Sequence, residues 1–572
     1  MNKQELADLI FPGAEDVSYY EEKYPARELP EGAVVTRFAP SPTGFVHIGA
    51  LEQCIIETLL VKQSKGVLIL RIEDTDQKRT IENGVAGILD AMRDFDIAFD
   101  EGMTGETESV GAYGPYRQTL RQEIYEAYAK YLIENDRAYP CFATEEDLAD
   151  LRKKQEEAGL DTIGYYGEWA IYRDYPEDEA AKRIQNGDPY VIRFKSTGKP
   201  DGKITVKDLV KGKTEMPQNI MDVVLIKGDG LPTYHFAHAV DDHLMRTTHV
   251  IRSNEWFTSV PLHLELFYAL GFKAPKYCHY APMLKNDVKT DAEGQPVLDE
   301  SGEPVMTKRK ISKRKDPEAA VSYYHEEGIP AESVKEYLMT IANSDFEMWR
   351  RNNENADLYD FPFAWKKMST TEGALFDMDK LIDVSKNVIS RFSAQKVYND
   401  VYAWAKRYDD VLCAMLQDED YSLRVFGIER GADIKKKRKD IGRWSDVRDY
   451  IFYMYDDVFE STDIEYEYQV ISDKETLTKI FTLYVDEYYN AADDNGQWFE
   501  RMKDLAERIG YAREVKIWKQ DKEAWPGHVG DVSTALRVGL TGRRNTPDLY
   551  QIMQVMGTDR IRARLKLAQK RL

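Results

Sequence analysis

Short apolar runs separated by longer mixed stretches mark the first hundred positions: Val34-Val35 is one, and Val67-Leu68-Ile69-Leu70, continued by Ile72, is another. Runs this short, with room between them for crossover helices, predict buried strands of a parallel sheet. The pattern becomes mixed from roughly Tyr116 to Asp222, then resumes with Val223-Val224-Leu225-Ile226 and Val250-Ile251. An insertion that splits the sheet accounts for the interruption. Between Leu284 and Lys310 lies a polar stretch, from Asp291-Ala292-Glu293-Gly294-Gln295-Pro296 to Ser301-Gly302-Glu303-Pro304, which predicts a hairpin or surface loop. After Pro317 the period is helical, through segments such as 333–342 and 474–489, with breaks such as Asp493-Asp494-Asn495-Gly496. The C-terminal half is therefore expected to be mainly α.

Length and composition make this pattern a large chain of several domains. At 572 residues the chain exceeds the roughly 250–300 that one core supports, and 42% hydrophobic residues can bury several. No apolar run reaches the ~18–20 residues of a membrane span, and the chain does not begin with a basic and then apolar leader, so no membrane contact and a cytoplasmic location are expected. The first 31 residues are rich in Glu and Asp, unlike a transit peptide, and stand as an N-terminal extension. Cys54, Cys141, Cys278 and Cys413 form no Cys-x-x-Cys pair, so neither disulfides nor zinc is expected. The Asp493–Gly496 cluster lacks the ligand spacing of a calcium loop. A net charge of −22 speaks to solubility, whereas nucleic-acid affinity follows local basic patches. Two are visible: Lys435-Lys436-Lys437-Arg438-Lys439, and the terminal run Arg560, Arg562, Arg564, Lys566, Lys570, Arg571.

The chemistry lies in two segments. Thr36-Arg37-Phe38-Ala39-Pro40-Ser41-Pro42-Thr43-Gly44-Phe45-Val46-His47-Ile48-Gly49 leads from a strand through a Pro- and Gly-marked turn into a helix beginning near Gly49, whose free N–H groups favour a phosphate. Downstream, Lys310-Ile311-Ser312-Lys313-Arg314 supplies cations that would flank the same phosphoryl group. There is neither a Gly-x-x-x-x-Gly-Lys phosphate loop nor a nucleophile elbow. The first segment resembles the His-Ile-Gly-His motif of class I aminoacyl-tRNA synthetases and the second their Lys-Met-Ser-Lys-Ser loop. The form Ala39-Pro40-Ser41-Pro42-Thr43-Gly44 resembles the glutamyl branch, where glutaminyl enzymes would show Pro-Glu-Pro-Asn-Gly. Leu70-Arg71-Ile72-Glu73-Asp74-Thr75-Asp76, Gly114-Pro115-Tyr116-Arg117-Gln118, Pro232-Thr233-Tyr234-His235-Phe236-Ala237, Val240-Asp241-Asp242-His243-Leu244 and Leu536-Arg537-Val538-Gly539-Leu540-Thr541-Gly542 extend the likeness over roughly residues 33–572.

That resemblance implies an N-terminal α/β Rossmann-like nucleotide-binding domain with an inserted acceptor-binding domain, followed by a mainly α-helical anticodon-binding half. The expected divisions are an extension (1–32), first catalytic half (33–116), acceptor-stem insertion (117–222), second catalytic half (223–309), Lys-Ile-Ser-Lys-Arg loop and stem-contact domain (310–387), and two helical anticodon subdomains (388–470 and 471–572). It implies formation of glutamyl-adenylate from L-glutamate and ATP, with Mg2+ on the phosphates, and transfer of the glutamyl group to tRNA(Glu), activation requiring bound tRNA. His47 and Lys313 would stabilise the phosphoryl transition state, and Lys310 the departing pyrophosphate. Thr43, Gly49, Glu255 at the ribose, Leu284 with its backbone at adenine, Ile311 and Ser312 complete the ATP site. For glutamate, Arg37 and Arg252 would take the carboxylates, Tyr234 the side-chain end and Glu73 the amine, with Ala39 and Ser41 alongside; a guanidinium fork suits a carboxylate. Two positions depart from the family pattern. Ala50 replaces the second His of the first motif, leaving His47 as the only imidazole there. His238 stands where Asn or Ser is usual, either as a substrate-side donor whose protonation makes binding pH-sensitive, or as a satisfied core histidine. Lys435, Lys437, Arg438 and Arg443 are the candidate anticodon contacts, and a monomer is expected. Alternatives are a non-discriminating enzyme that also charges tRNA(Gln) and a catalytically silent tRNA-binding paralogue, which would be expected to lose His47, Lys313 or Arg252. A tRNA-modifying paralogue would lack the helical half, and a small-molecule nucleotidyltransferase would not need it.

Overall fold

The computed structural model describes residues 1–572 except 313, 369–372, 432, 433, 435 and 436. Its described residues fall into two compact units, 1–325 with 334–378, and 326–333 with 379–572.

In the first unit the predicted runs at Val34-Val35, Val67–Leu70 and Val250-Ile251 are strands, β1 (Val35–Phe38), β2 (Val67–Leu70) and β4 (His249–Ser253), and two strands not expected from sequence join them, β3 (Glu101–Met103) and β5 (Lys276–Tyr280). β1–β2, β2–β3 and β4–β5 pair in parallel, with Arg252 opposite His279. Thr248 joins the two sets: its N–H donates to the Val35 carbonyl and its hydroxyl accepts from the Val35 N–H. The chain therefore runs outward from β1 to β3, returns, and runs outward again on the other side through β4 and β5. Such a reversal point is where open α/β sheets bind ligands, beyond the carboxyl ends of the strands. Helix α1 (Ile48–Ser64) follows β1, and burial of Ile48, Leu51, Cys54, Ile55, Ile56 and Leu59 on several of its faces makes it a core helix rather than a surface one.

Of the expected insertion, 138–141 and 191–194 form with 224–226 a separate three-stranded antiparallel sheet, whereas the hairpin of 203–208 and 212–217 joins the edge of the first sheet beside β5, Asp208 opposite Tyr277. Here the expectation needs correction. The run Val223–Ile226 was read as the resumption of the nucleotide fold, yet Val224–Ile226 pairs with the Val191–Phe194 strand of the small sheet. A strand's apolar pattern is silent about its partner, which lies some thirty residues back.

The polar stretch forms an antiparallel hairpin, β6 (Leu284–Val288) with β7 (Met306–Lys310). Its tip closes as a ring of three backbone hydrogen bonds: Val297 N–H to Lys289 C=O, Val305 N–H to Val297 C=O, and Lys289 N–H to Val305 C=O. Gly294 and Gly302, at φ 81° and 85°, make the two turns that this closure requires. The N-terminal extension folds as two short helices, Lys3–Ile10 and Val17–Lys23, and is tied down by Arg27 to Glu101 at 2.7 and 2.9 Å and by Glu21 to His243 and Arg246.

The second unit is helical around one core that includes Trp404, Trp444, Tyr453, Phe481, Tyr484 and Leu536. The expected 474–489 helix is α-helical over Lys474–Leu483 and continues as a π turn over Tyr484–Tyr488. The terminal basic run is only partly available to RNA. Arg564, 3% exposed, lies over the Phe459 ring at 3.3 Å and binds Asp456 at 2.6 Å, and Arg560 binds the same carboxylate at 2.8 Å. Their four-residue spacing puts both on the inward face of the Thr558–Lys570 helix, while Arg562 and Lys566 remain exposed. No helix among the described residues is long and apolar enough to cross a membrane.

Candidate active site

The loop leaving β1 ends at His47, the N-cap of α1. Its Nδ1 accepts the Gly49 backbone N–H at 3.0 Å, so the neutral ring carries its hydrogen on Nε2. A side chain at position 49 would bring a Cβ within 3.3 Å of that Nδ1, which explains the glycine. In this state the first turn of α1 is internally bonded, the Gly49 N–H to His47 Nδ1 and the Ala50 and Leu51 N–H groups to the His47 carbonyl, so the free phosphate-binding N–H groups expected from sequence are already engaged.

Beside it lies a cavity of about 320 Å³ lined by Arg37, Phe38, Ala39, Ser41, Gln53, Glu73, Thr75, Asp76, Arg79, Gln118, Tyr234, Arg252 and Trp256. It brings together six of the seven residues expected for glutamate. Arg37 is 3% exposed; its Nε donates to Asp242 at 3.1 and 3.2 Å, and among the described residues its two terminal nitrogens carry no hydrogen bond. Asp242 also accepts from Arg71 at 2.6 Å, and Arg71 reaches Glu73 at 3.0 Å. Burial alone would raise the Asp242 carboxyl, but Arg37 and Arg71 hold it well below its ordinary range. Burial raises Glu73 despite Arg71 and Arg37, so an arriving ammonium would meet a carboxylate short of compensating charge. The Tyr234 hydroxyl accepts from Arg252 Nη1 at 3.0 Å, leaving its own hydrogen to donate, and Trp256 packs on the Tyr234 ring at 4.4 Å between centroids.

His238 is the seventh and does not line the cavity. It is 0% exposed, 2.8 Å from Asp242 through Nδ1 and 3.0 Å from the Tyr277 hydroxyl through Nε2. Burial pushes it down to about 4, so it stays neutral at physiological pH. The core-histidine reading describes it, and the pH-sensitive donor does not.

On the nucleotide side, Lys310 at the end of β7 forms an ion pair with Glu255, so the expected pyrophosphate and ribose residues satisfy each other in this state. Leu284 is a correction: its N–H donates to Ala374 C=O at 2.9 Å and its C=O accepts from Phe376 at 2.7 Å, so an adenine edge would compete with that pairing. Ile311 is buried, Thr43 is exposed, and the Ser312 N–H donates to Asp316 at 2.8 Å. Arg309 braces this region, reaching Asp287 at 2.5 Å and Asp316 at 2.6 and 2.7 Å, and holds Asp316 far below its ordinary range. Lys313 lies outside the described residues, as does Lys435. In the second unit Lys437 is half-buried, Arg438 pairs with Asp440, and Arg443 pairs with Glu327 at 2.5 Å and Asp446 at 3.0 Å. Among the described residues no three His, Cys, Asp or Glu side chains are grouped to hold a metal ion.

Sequence reasoning did not single out Gln53, Arg79 or Trp256, and it named Phe38, Thr75, Asp76 and Gln118 only as motif residues. Gln53 lies one helical turn beyond Gly49, and Gln118 and Trp256 adjoin residues that did stand out; position along α1 and along β4 would have found them.

Residues 33–348 match the model of the class I tRNA synthetase (E and Q) catalytic domain, and 526–569 that of an anticodon binding domain. The chain is 47% identical to a glutamate–tRNA ligase of Clostridium perfringens over 99% of both chains, and 44% identical to one of Acetivibrio thermocellus over 99% of this chain and all of that one. A solved glutamate tRNA ligase of Elizabethkingia meningosepticum, in complex with its amino acid, superposes with a TM-score of 0.70 at 26% identity, covering 94% of this chain and 99% of that one. A parallel sheet that reverses at β1, a histidine-capped helix beside a two-arginine cavity, and this agreement along the whole chain lead to one conclusion: the protein belongs to the class I tRNA synthetases of the glutamate and glutamine branch.

Proposed function

We propose that the protein is a glutamate–tRNA ligase, which activates L-glutamate with ATP and transfers the glutamyl group to the 3′ end of tRNA(Glu) in the cytoplasm, as a monomer and with activation dependent on bound tRNA. The observation that carries this reading is the ring of Arg37, Arg252, Tyr234 and Glu73 around one cavity, which matches two carboxylates and one ammonium. Glutamine would set a neutral amide against one of the guanidinium groups and leave a buried charge unpaired.

In the first step the α-carboxylate attacks the α-phosphorus of ATP in line, the bond to the bridging oxygen breaks, and pyrophosphate leaves. His47 Nε2–H and the Thr43 hydroxyl donate to phosphoryl oxygens, where preorganised donors act on developing charge. Lys313 joins them, and Lys310 moves from Glu255 to the departing pyrophosphate, freeing Glu255 for the ribose. Magnesium arrives as part of the MgATP substrate and neutralises phosphate charge. In the second step a hydroxyl of the terminal ribose of tRNA attacks the activated carbonyl and AMP leaves. Lys435, Lys437, Arg438 and Arg443 contact the anticodon, the last two exchanging their internal carboxylates for phosphates or base edges.

Aminoacylation with labelled glutamate and ATP, on purified tRNA(Glu) and tRNA(Gln) transcripts in parallel, tests this. Charging of tRNA(Glu) alone is expected. Charging of both would make the enzyme non-discriminating, and charging of neither would overturn the ligase reading in favour of a silent paralogue.

A further inference from the structure

Behind the cavity, Arg252 is held by two imidazoles. It is 5% exposed; its Nε donates to His279 Nε2 at 2.8 Å, its Nη2 to His263 Nδ1 at 3.1 Å and its Nη1 to the Tyr234 hydroxyl at 3.0 Å. A guanidinium only donates, so both facing nitrogens must be acceptors, and each imidazole must carry its hydrogen on the far side. Each has an acceptor there. His279 Nδ1 lies 2.7 Å from Asp208 Oδ2, and His263 Nε2 lies 2.9 Å from His235 Nδ1. Asp208 is fixed in turn by the backbone N–H groups of Val210 and Lys211, each at 2.9 Å. Of the five N–H groups of Arg252 these contacts take three, leaving one on each terminal nitrogen, the matched pair that a carboxylate accepts.

We propose that His279 and His263, oriented by Asp208 and His235, are positioning residues that hold the Arg252 guanidinium in the one rotation that offers this pair to a substrate carboxylate, and so set affinity for the amino acid. The proposal rests on the glutamate reading of the cavity. Asp208 leads the relay because it fixes the tautomer. Were it unable to accept, the His279 hydrogen would be free to move to Nε2 and confront a cation with a donor. Neither imidazole touches the reacting atoms, so the relay acts on amino-acid binding rather than on the chemical step.

The test is steady-state aminoacylation of tRNA(Glu) by the full-length protein, with glutamate binding followed independently by calorimetry. His279→Leu is expected to raise KM and Kd for glutamate about ten- to hundredfold, as loss of a hydrogen bond to a charged group does, with kcat and KM for ATP changed less than about threefold. His279→Gln, which can still accept from Arg252, is expected to recover most of that loss. Asp208→Asn keeps an oxygen for the Val210 and Lys211 N–H groups but sets its NH2 against both His279 Nδ1 and the His279 backbone N–H, which donates to Asp208 Oδ2 at 3.1 Å; a rise of at least about tenfold in KM for glutamate is expected, with some loss of thermal stability but a folded protein and little change in kcat or in KM for ATP. Unaltered glutamate KM and Kd in folded His279→Leu and Asp208→Asn would overturn the proposal, as would equal losses for ATP and glutamate. A wild-type protein that neither binds nor transfers glutamate would overturn the glutamate reading itself.

Discussion

At the scale of single residues, His47 has two separable jobs. It caps α1 through Nδ1, and in the proposed reaction its Nε2–H donates to phosphate. Asn is a good N-cap and Ala a poor one, so His47→Ala is expected to cost about 1 kcal/mol of stability while His47→Asn costs a few tenths. Both should lower the rate of glutamyl-adenylate formation, by about a hundredfold or more, because both lack the imidazole donor. Pyrophosphate exchange with tRNA(Glu) present, alongside thermal melts, decides this, and wild-type exchange by His47→Asn would strip His47 of its place in the chemistry. His47, Arg37 and Arg252 were legible from residue type and neighbouring motif. His238 was legible in type and in its helical i,i+4 reach to Asp242, but not in its other contact: the Tyr277 hydroxyl at its Nε2 comes from β5, 39 positions on. The same holds for His279, whose meaning arises only when β5 lies beside β4.

At the scale of elements, the hairpin β6–β7 delivers Lys310 to the nucleotide side, and Arg309 fastens its end to Asp287 across the hairpin and to Asp316 beyond the loop. Arg309→Ala is expected to lower kcat for adenylate formation about tenfold, with little change in glutamate KM and a melting temperature within a degree or two of wild type, because a bidentate arginine pair fixes geometry at a half-exposed site. An unchanged kcat would show that this bracing does not set the loop. β1, β2 and β4 were legible because they are short, apolar and flanked by turns, and the hairpin because its Gly and Pro residues punctuate it, whereas β3 and β5, with Glu101, Lys276 and His279 among their residues, carry no such run. What stayed hidden was pairing: Val224–Ile226 was assigned to the wrong sheet because register between distant strands leaves no local mark. Helical spacing of Arg560 and Arg564 did carry the information that they share a face, yet not that the face turns inward onto Asp456.

At the scale of the whole molecule, the central helix α1 carries two buried acids, Glu52 and Glu57, both pushed up to about 8 by burial. Glu57 keeps its proton in the folded chain to about that pH, whereas unfolded it releases it near the ordinary 4.5. Between those values the folded state binds the extra proton, so stability falls as pH rises, by up to about 1.4 kcal/mol per pH unit for each such group. Glu57→Gln removes one contribution, and its melting temperature is expected to gain steadily on wild type from about pH 5.5 to pH 7.5. Parallel melting curves across that range would refute it. The charge of −22 reports none of this, since it sums over the surface and says nothing of which acids lie inside. Asp242, finally, serves Arg37 from β1 and Arg71 from just past β2 with a single carboxylate contributed more than 160 positions later in the chain. Loss of it strands the buried Arg37 and leaves Arg71 to Glu73 and Asp241, and loss of either arginine unbalances the rest. Inheritance at these three positions is consequently joint: a chimera exchanging the first hundred residues between divergent relatives survives only where its recipient already carries the matching acid, and single substitutions at the three sites are accepted in the company of the others or not at all.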